Sequence, residues 1–174
     1  VPQLKKDIEG TLSKNKNPAF EFCEAKYWLA YKENKVVGRI AAIINHRYIE
    51  KWKNSYIRFG WIDFEQEEEI AKKLLTQVEI WAKEKGMNAV HGPIGFTNFD
   101  YAGLLIEGFD QVGTFATIYN YPYYPLFIER AGYQKDVDWV EYKIKLPVVL
   151  PERLEKIAAI VQKRHQFCVV KMAT

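Results

Sequence analysis

Hydrophobic and polar positions change rhythm several times along the chain. The first twenty residues are rich in Lys and Asn, and Pro2, Gly10 and Pro18 break any period, which predicts a short helix over 3–12 and a loop over 13–18. From position 26 the pattern changes. The run Tyr27-Trp28-Leu29-Ala30-Tyr31 predicts a strand, Lys32-Glu33-Asn34-Lys35 supplies turn chemistry, and 36–45 predicts a second strand, so the pair reads as a hairpin. Val36, Val37, Ile40, Ala41, Ala42, Ile43 and Ile44 make the second strand apolar on both faces, as in a sheet covered on both sides. A basic connection over 46–53 leads to a third predicted strand over 55–64. Gly60 lies near its middle, where glycine marks a bulge or a close approach.

The next segment, 65–85, has helical periodicity in Ala71, Leu74, Leu75, Val78, Trp81 and Ala82. Acidic residues crowd its first turn, Lys83 and Lys85 sit in its last, and Gly86 stops it. A strand over 88–92 follows and ends at Pro93, which lacks a backbone donor. Residues 95–125 show no clean period and are dense in aromatics: Phe96, Phe99, Tyr101, Phe109, Phe115, Tyr119, Tyr121, Tyr123 and Tyr124. Loops of this length are usually functional or hide short elements. A helix over 124–131 stopped at Gly132, a strand over 139–146 closed by Pro147, an amphipathic helix over 151–165 and a further strand over 167–170 complete the reading.

Composition narrows the classes. The chain has 174 residues, 48% hydrophobic and 27% charged, enough for one well-packed domain. No run approaches the roughly 18 apolar residues of a membrane span, and there is no secretory or transit pattern, so a soluble, cytoplasmic protein is expected. Net charge +3 makes no global case for nucleic acid or an anionic membrane. Cys23 and Cys168 stand outside any metal-ligand spacing and read as two reduced thiols. The first residue, Val1, suggests a processed or trimmed chain.

The order of elements, from hairpin through a bulged strand, amphipathic helix, strand, short helix ending Ala131-Gly132-Tyr133 and closing strand, resembles the GNAT superfamily of acyl-CoA-dependent N-acyltransferases. The resemblance covers about 27–146. Val37-Gly38-Arg39-Ile40-Ala41-Ala42, Gly92-Pro93, Glu107-Gly108-Phe109-Asp110 and Tyr119-Asn120-Tyr121-Pro122-Tyr123-Tyr124 look like a poorly characterised bacterial branch whose members tend to be longer. The resemblance implies an α/β (α+β) fold, with a mixed, mostly antiparallel sheet flanked by helices. It divides the chain into an extension (1–26), a core (27–146) and a C-terminal helix and strand (147–174), which is expected to begin a further lobe in a longer polypeptide.

It also implies a chemistry. Acetyl-CoA or another acyl-CoA would donate its acyl group to the amine of a small molecule or peptide, with the CoA pyrophosphate on backbone amides at a helix start. The matching register is Gln66-Glu67-Glu68-Glu69-Ile70-Ala71, in which Gln66 and Ala71 fit the superfamily pattern and Glu69 replaces its central glycine. Carboxylates in a first helical turn are equally well explained by the helix dipole. Ile62, Asp63 and Phe64 would flank the acyl group, with Asp63 a candidate base; its alternative is an outward-facing or capping carboxylate. The superfamily's acidic tyrosine is replaced by Ile128, which leaves Tyr124, and after it Tyr123, as candidate acids or as packed aromatics.

Asn98, Asp100, Glu107, Tyr119 and Asn120 are polar groups among aromatics and glycines, suited to an acceptor pocket or to loop self-packing. Asp110 belongs to the same set. His46, His91 and His165 have no ligand spacing, so no metal site is expected. The cations and aromatics from Arg47 to Arg58 form a weak nucleic-acid pattern interrupted by Glu50, and a solvated connection is the better reading. A homodimer is compatible with all of this. Two readings of function stand: an N-acyltransferase, or a GNAT-fold ligand-binding or interaction module that has lost the chemistry, favoured by Glu69 and Ile128.

Overall fold

Strand β1 (Cys23–Lys32) runs antiparallel to β2 (Lys35–Asn45), from Cys23 opposite Asn45 to Lys32 opposite Lys35, with a one-residue register shift between Ala30 and Tyr31. The computed structural model describes residues 4–114, 117–166 and 168 of the chain. Between the strands Glu33 and Asn34 take φ of 48° and 63°, the two-residue turn whose twist matches that of the hairpin. The strand extends four residues further back than the apolar run at 27–31 suggests, because β2 is long enough to pair with those residues as well.

The basic connection after β2 is a helix, α2 (His46–Trp52). The Asn45 side chain caps its start by accepting from the Tyr48 amide at 2.8 Å, and Lys53 ends it in a left-handed conformation. Its seven residues are too short to show a period.

Strand β3 (Tyr56–Phe64) pairs antiparallel with β2 on one side and, over Tyr56 to Arg58 only, parallel with β4 (Ala89–His91) on the other, giving the order β1-β2-β3-β4. Ala41 faces Gly60 and Arg39 faces Asp63, so Ile40 stands opposite two residues, Trp61 and Ile62. This is a bulge, and Trp61 takes φ 45° in it. A Cβ on Gly60 would lie 2.7 Å from the Ile94 carbonyl oxygen, so both meanings of a strand glycine apply here.

Helix α3 (Glu68–Glu84) begins three residues later than its sequence period indicates, since Glu65 still donates to the Val37 carbonyl and Glu67 is extended. Every apolar residue of the predicted stripe is buried, joined by Ile70, and the helix packs on all four strands. Gly38 permits the contact: a Cβ there would meet Leu74 Cδ1 at 2.9 Å. Helix α4 (Tyr123–Arg130) packs beside α3. The opposite sheet face is covered by Ala19, Phe20, Phe22, Phe96 and Leu12, around Cys23 and Ile43. The sheet is thus mixed, mostly antiparallel and flanked by helices, with cores on both faces. Helix α1 (Lys5–Thr11) precedes it, and described residues 95–122 form neither helix nor strand.

The chain divides into the units Val1–Lys135 and Asp136–Thr174. The second holds α5 (Glu152–His165), on which Leu154, Ile157, Ile160 and Val161 are exposed. The strand expected over 139–146 is absent from the described structure: Val140, Tyr142 and Ile144 are each more than two-thirds exposed. Alternation specifies which side of a strand is apolar, but a strand exists only where a neighbour's backbone satisfies its amides and carbonyls. The strand expected over 167–170 and the residues before Leu4 lie outside the described residues, apart from Cys168, as does Phe115. No described helix is long and apolar enough to cross a membrane.

Candidate functional site

Because β4 accompanies β3 only as far as Arg58, the far end of β3 beyond the bulge is bordered by β2 on one side and by the tyrosines of α4 on the other. A cavity of about 360 Å³ opens there. Its walls are Val36, Val37, Gly38, Phe64, Tyr121, Tyr123 and Tyr124, and its charged members are Arg39, Asp63 and Glu65.

The polar groups form one connected set. Arg39 donates from Nε at 2.9 Å and Nη2 at 2.5 Å to Asp63 Oδ2, and the Tyr124 hydroxyl donates to Asp63 Oδ1 at 3.1 Å. That hydroxyl also accepts the Phe64 amide proton at 3.2 Å, while the Tyr123 hydroxyl donates to the Phe64 carbonyl at 2.9 Å. Tyr124 is buried and stacks on Phe64 with ring centroids 4.2 Å apart. Burial, reinforced by the Asp63 carboxylate, raises its phenol above the ordinary tyrosine range, so it holds its proton and acts as a donor at neutral pH. Asp63, by contrast, keeps 56% of its side chain open to solvent.

Of the residues singled out for an acyl donor, Asp63, Phe64 and Tyr124 therefore meet. Ile62 is buried in the core. Gln66 is exposed ahead of α3, and Ala71 has no exposed surface. The helix start is acidic but not unpaired. Glu67 is 2.7 Å from Lys32, Glu68 is 3.0 Å from Arg130, and Glu69 is 3.8 Å from Lys73. These residues do not fit a pyrophosphate: carboxylates stand at the N-cap (Glu67) and twice in the first turn (Glu68, Glu69), nearby cations are matched to them, and no glycine lets a phosphate approach the backbone. Ile128, at the position of the superfamily's tyrosine, is buried in the core.

The polar residues of the long segment do not gather at this cavity. Asp100 Oδ2 accepts from the Thr97 amide at 2.9 Å, and Asn120 is buried, exchanging bonds with the Leu105 amide and carbonyl at 2.7 and 3.1 Å. Both hold loop backbone in place. Asn98 and Glu107 are exposed, and Tyr119 is 61% exposed beside Tyr121. Asp100 instead borders a second cavity of about 530 Å³ under α1.

Arg58 is not on a surface with Arg47. It is buried, donating to the carbonyls of Gly95 and Phe96 at 3.0 Å each with its guanidinium over the Tyr48 ring, so the cation and aromatic pattern around it is internal packing. His91 lies against Tyr48 and Tyr56, and His46 is 3.0 Å from Glu24. Among the described residues no three His, Cys, Asp or Glu side chains group to hold a metal ion.

Arg39 and Glu65 were missing from the sequence-based candidates. Arg39 is 24 positions from Asp63, and only the cross-strand register of the bulged pair brings them together.

No family model matches the chain, and no solved structure matches it. Among curated proteins it is similar to Protein YghO of Escherichia coli K12, 29% identical over 150 residues covering 86% of this chain and 38% of that protein. It is also similar to a bacterial ceramide synthase of Caulobacter vibrioides, 28% identical over 142 residues covering 81% of this chain and 37% of that protein. The chain thus spans less than two-fifths of the length of these relatives.

Proposed function

We propose that this chain is a GNAT-like part of an N-acyltransferase that joins an acyl group to an amine. The observation that carries the reading is the Arg39–Asp63–Tyr124 set lining the cavity, where an exposed carboxylate contacts a buried phenol that keeps its proton. Amide formation needs a site that relieves the attacking nitrogen of a proton, and the exposure of Asp63 in the cavity supports giving it that role. One relative's name supports the class, since a ceramide, the product in that name, is an N-acylated amine. An acyl-CoA is the donor proposed by the superfamily resemblance. The start of α3 does not fit its pyrophosphate.

A second reading, a ligand-binding module without turnover, is favoured by Glu69 and Ile128, which stand where the superfamily pattern has glycine and tyrosine. Incubation of the protein with a long-chain primary amine and acetyl- or palmitoyl-CoA, followed by mass spectrometry for the amide, separates the two. Product that falls about 100-fold or more in Asp63→Asn supports the transferase. Amine binding with no amide under any donor supports the module.

A further inference from the structure

Strand β1 is an edge of the sheet, with β2 on one side and no strand on the other among the described residues. Its ladder with β2 fixes which backbone groups face the open side. The His46 amide donates to the Phe22 carbonyl at 3.0 Å, one step beyond Cys23 opposite Asn45, so the even-numbered residues from Glu24 to Ala30 exchange hydrogen bonds with β2. Ala25, Tyr27 and Leu29 alternate with them and turn their amides and carbonyls outward. The register shift after Ala30 skips Val37 on β2, which leaves β1 itself regular. Among the described residues no backbone group bonds to these outward ones.

The same strand carries an open apolar surface. Tyr27, Leu29 and Tyr31, on the face away from α3, are 42%, 53% and 63% exposed. A long edge with such side chains is a template for a further strand, and its charges select which one. On the α3 face Glu24, Lys26, Trp28, Ala30 and Lys32 follow one another, negative at one end and positive at the other. Laid antiparallel on a second copy with Trp28 opposite Trp28, the strand sets Glu24 against Lys32, Lys26 against Ala30 and Tyr27 against Leu29, and the outward amides meet outward carbonyls. Glu24 already holds Lys85 and His46, and Lys32 holds Glu67, so the crossing joins existing ion pairs into a network. Centring the ladder on Leu29 instead puts Lys26 against Lys32, and like charges directly opposite destabilise a ladder. Centring it on Tyr27 leaves Glu24 opposite Ala30 and Lys26 opposite Trp28. The edge is thus complementary to itself in one register.

We propose that β1 is a dimerisation edge, at which two copies of this chain join their sheets into one through an antiparallel β1 ladder centred on Trp28. The same patch serves both copies, as a two-fold axis requires. Pairing along a single strand lies at the low end of stable interfaces, so the dimer dissociates in the micromolar range. The surface is separate from the cavity beyond the β3 bulge and does not depend on N-acyl transfer.

Sedimentation equilibrium of the full chain, with hydrogen exchange of its amides at low and high protein concentration, tests the proposal. A monomer and dimer in equilibrium are expected. The Tyr27 and Leu29 amides should exchange freely in dilute protein and at least tenfold more slowly in the dimer, whereas those of Lys26 and Trp28, bonded to β2 in both states, should not respond to concentration. Leu29→Pro removes an outward amide and no bond to β2, and should weaken association at least tenfold while unfolding stays cooperative. A second measurement needs no proline. In a Cys168→Ser background, which removes the exposed thiol, oxidation of mixed Lys26→Cys and Ala30→Cys chains should give the mixed disulfide in preference to either self-linked product. A monomer at every concentration, or a dimer whose Tyr27 and Leu29 amides exchange as in the monomer, would overturn the assignment. So would protection of those amides in the monomer, which would give the edge to another segment of the same chain.

Discussion

The Tyr124 hydroxyl serves two partners at once, donating to Asp63 and accepting from the Phe64 amide. Tyr124→Phe keeps the ring, and so its 4.2 Å stack on Phe64, and removes only the oxygen. Two bonds are lost, of unequal weight. Asp63 is more than half exposed, so water replaces the phenol there at little cost. The Phe64 amide lies in a buried residue, and leaving a buried donor without a partner costs about 1–3 kcal/mol. A net loss of about 1–2 kcal/mol is expected, which for a unit of this size lowers Tm by about 3–7 °C. Tyr123→Phe provides the comparison. Its hydroxyl serves the Phe64 carbonyl from a half-buried position, so its loss should cost less, about 0.5–1 kcal/mol. Urea unfolding of both variants, with hydrogen exchange of the Phe64 amide, measures this. Exchange at Phe64 should accelerate in Tyr124→Phe and much less in Tyr123→Phe. Unchanged stability and unchanged Phe64 protection in Tyr124→Phe would refute the reasoning.

Other outcomes follow from the packing. Burial raises the Cys23 thiol from 9.0 to about 11, so the unfolded chain ionises first as pH rises. The contribution is whole below pH 9 and falls by roughly 2 kcal/mol between pH 9 and pH 11. Urea midpoints across that range should drop less steeply in Cys23→Ala, and parallel slopes would contradict the assignment. Gly60→Ala forces a Cβ against the Ile94 carbonyl and should cost about 1–3 kcal/mol in thermal unfolding, whereas an unaltered Tm would mean that the bulge relaxes freely. Arg58→Met removes charged donors from the Gly95 and Phe96 carbonyls and should cost about 1.5–3 kcal/mol, measurable by urea unfolding. A neutral effect would show that Asn45, which also donates to Phe96, is sufficient.

Local pattern alone was enough for the hairpin, the bulged third strand and α3. In each, the evidence is a period or a turn residue within a few positions, and the forces that shape the element act over the same distance. The two-residue turn at Glu33-Asn34, the buried stripe from Ala71 to Ala82 and the constraint at Gly60 are of this kind. The same holds for the apolar run of β2, which specified a sheet covered on both faces before any covering element was known.

What tertiary structure decided is partnership. Val140, Tyr142 and Ile144 alternate over 139–146 as a strand would, yet no ladder forms there among the described residues, because a strand is a relation between two backbones. Asp63 and Tyr124 stand out as chemistry-bearing residues in sequence. Their link to one another, to Arg39 and to the Phe64 amide depends on the bulge register and on where α4 lands, contacts that span 24 to 61 positions. Asp100 and Asn120 show the converse: residue types suited to a ligand whose hydrogen bonds the loop backbone takes for itself. The sequence determined which groups were available and the elements that carry them; the fold determined which groups were left to meet a ligand, since a polar side chain's free valences are set by its neighbours in space.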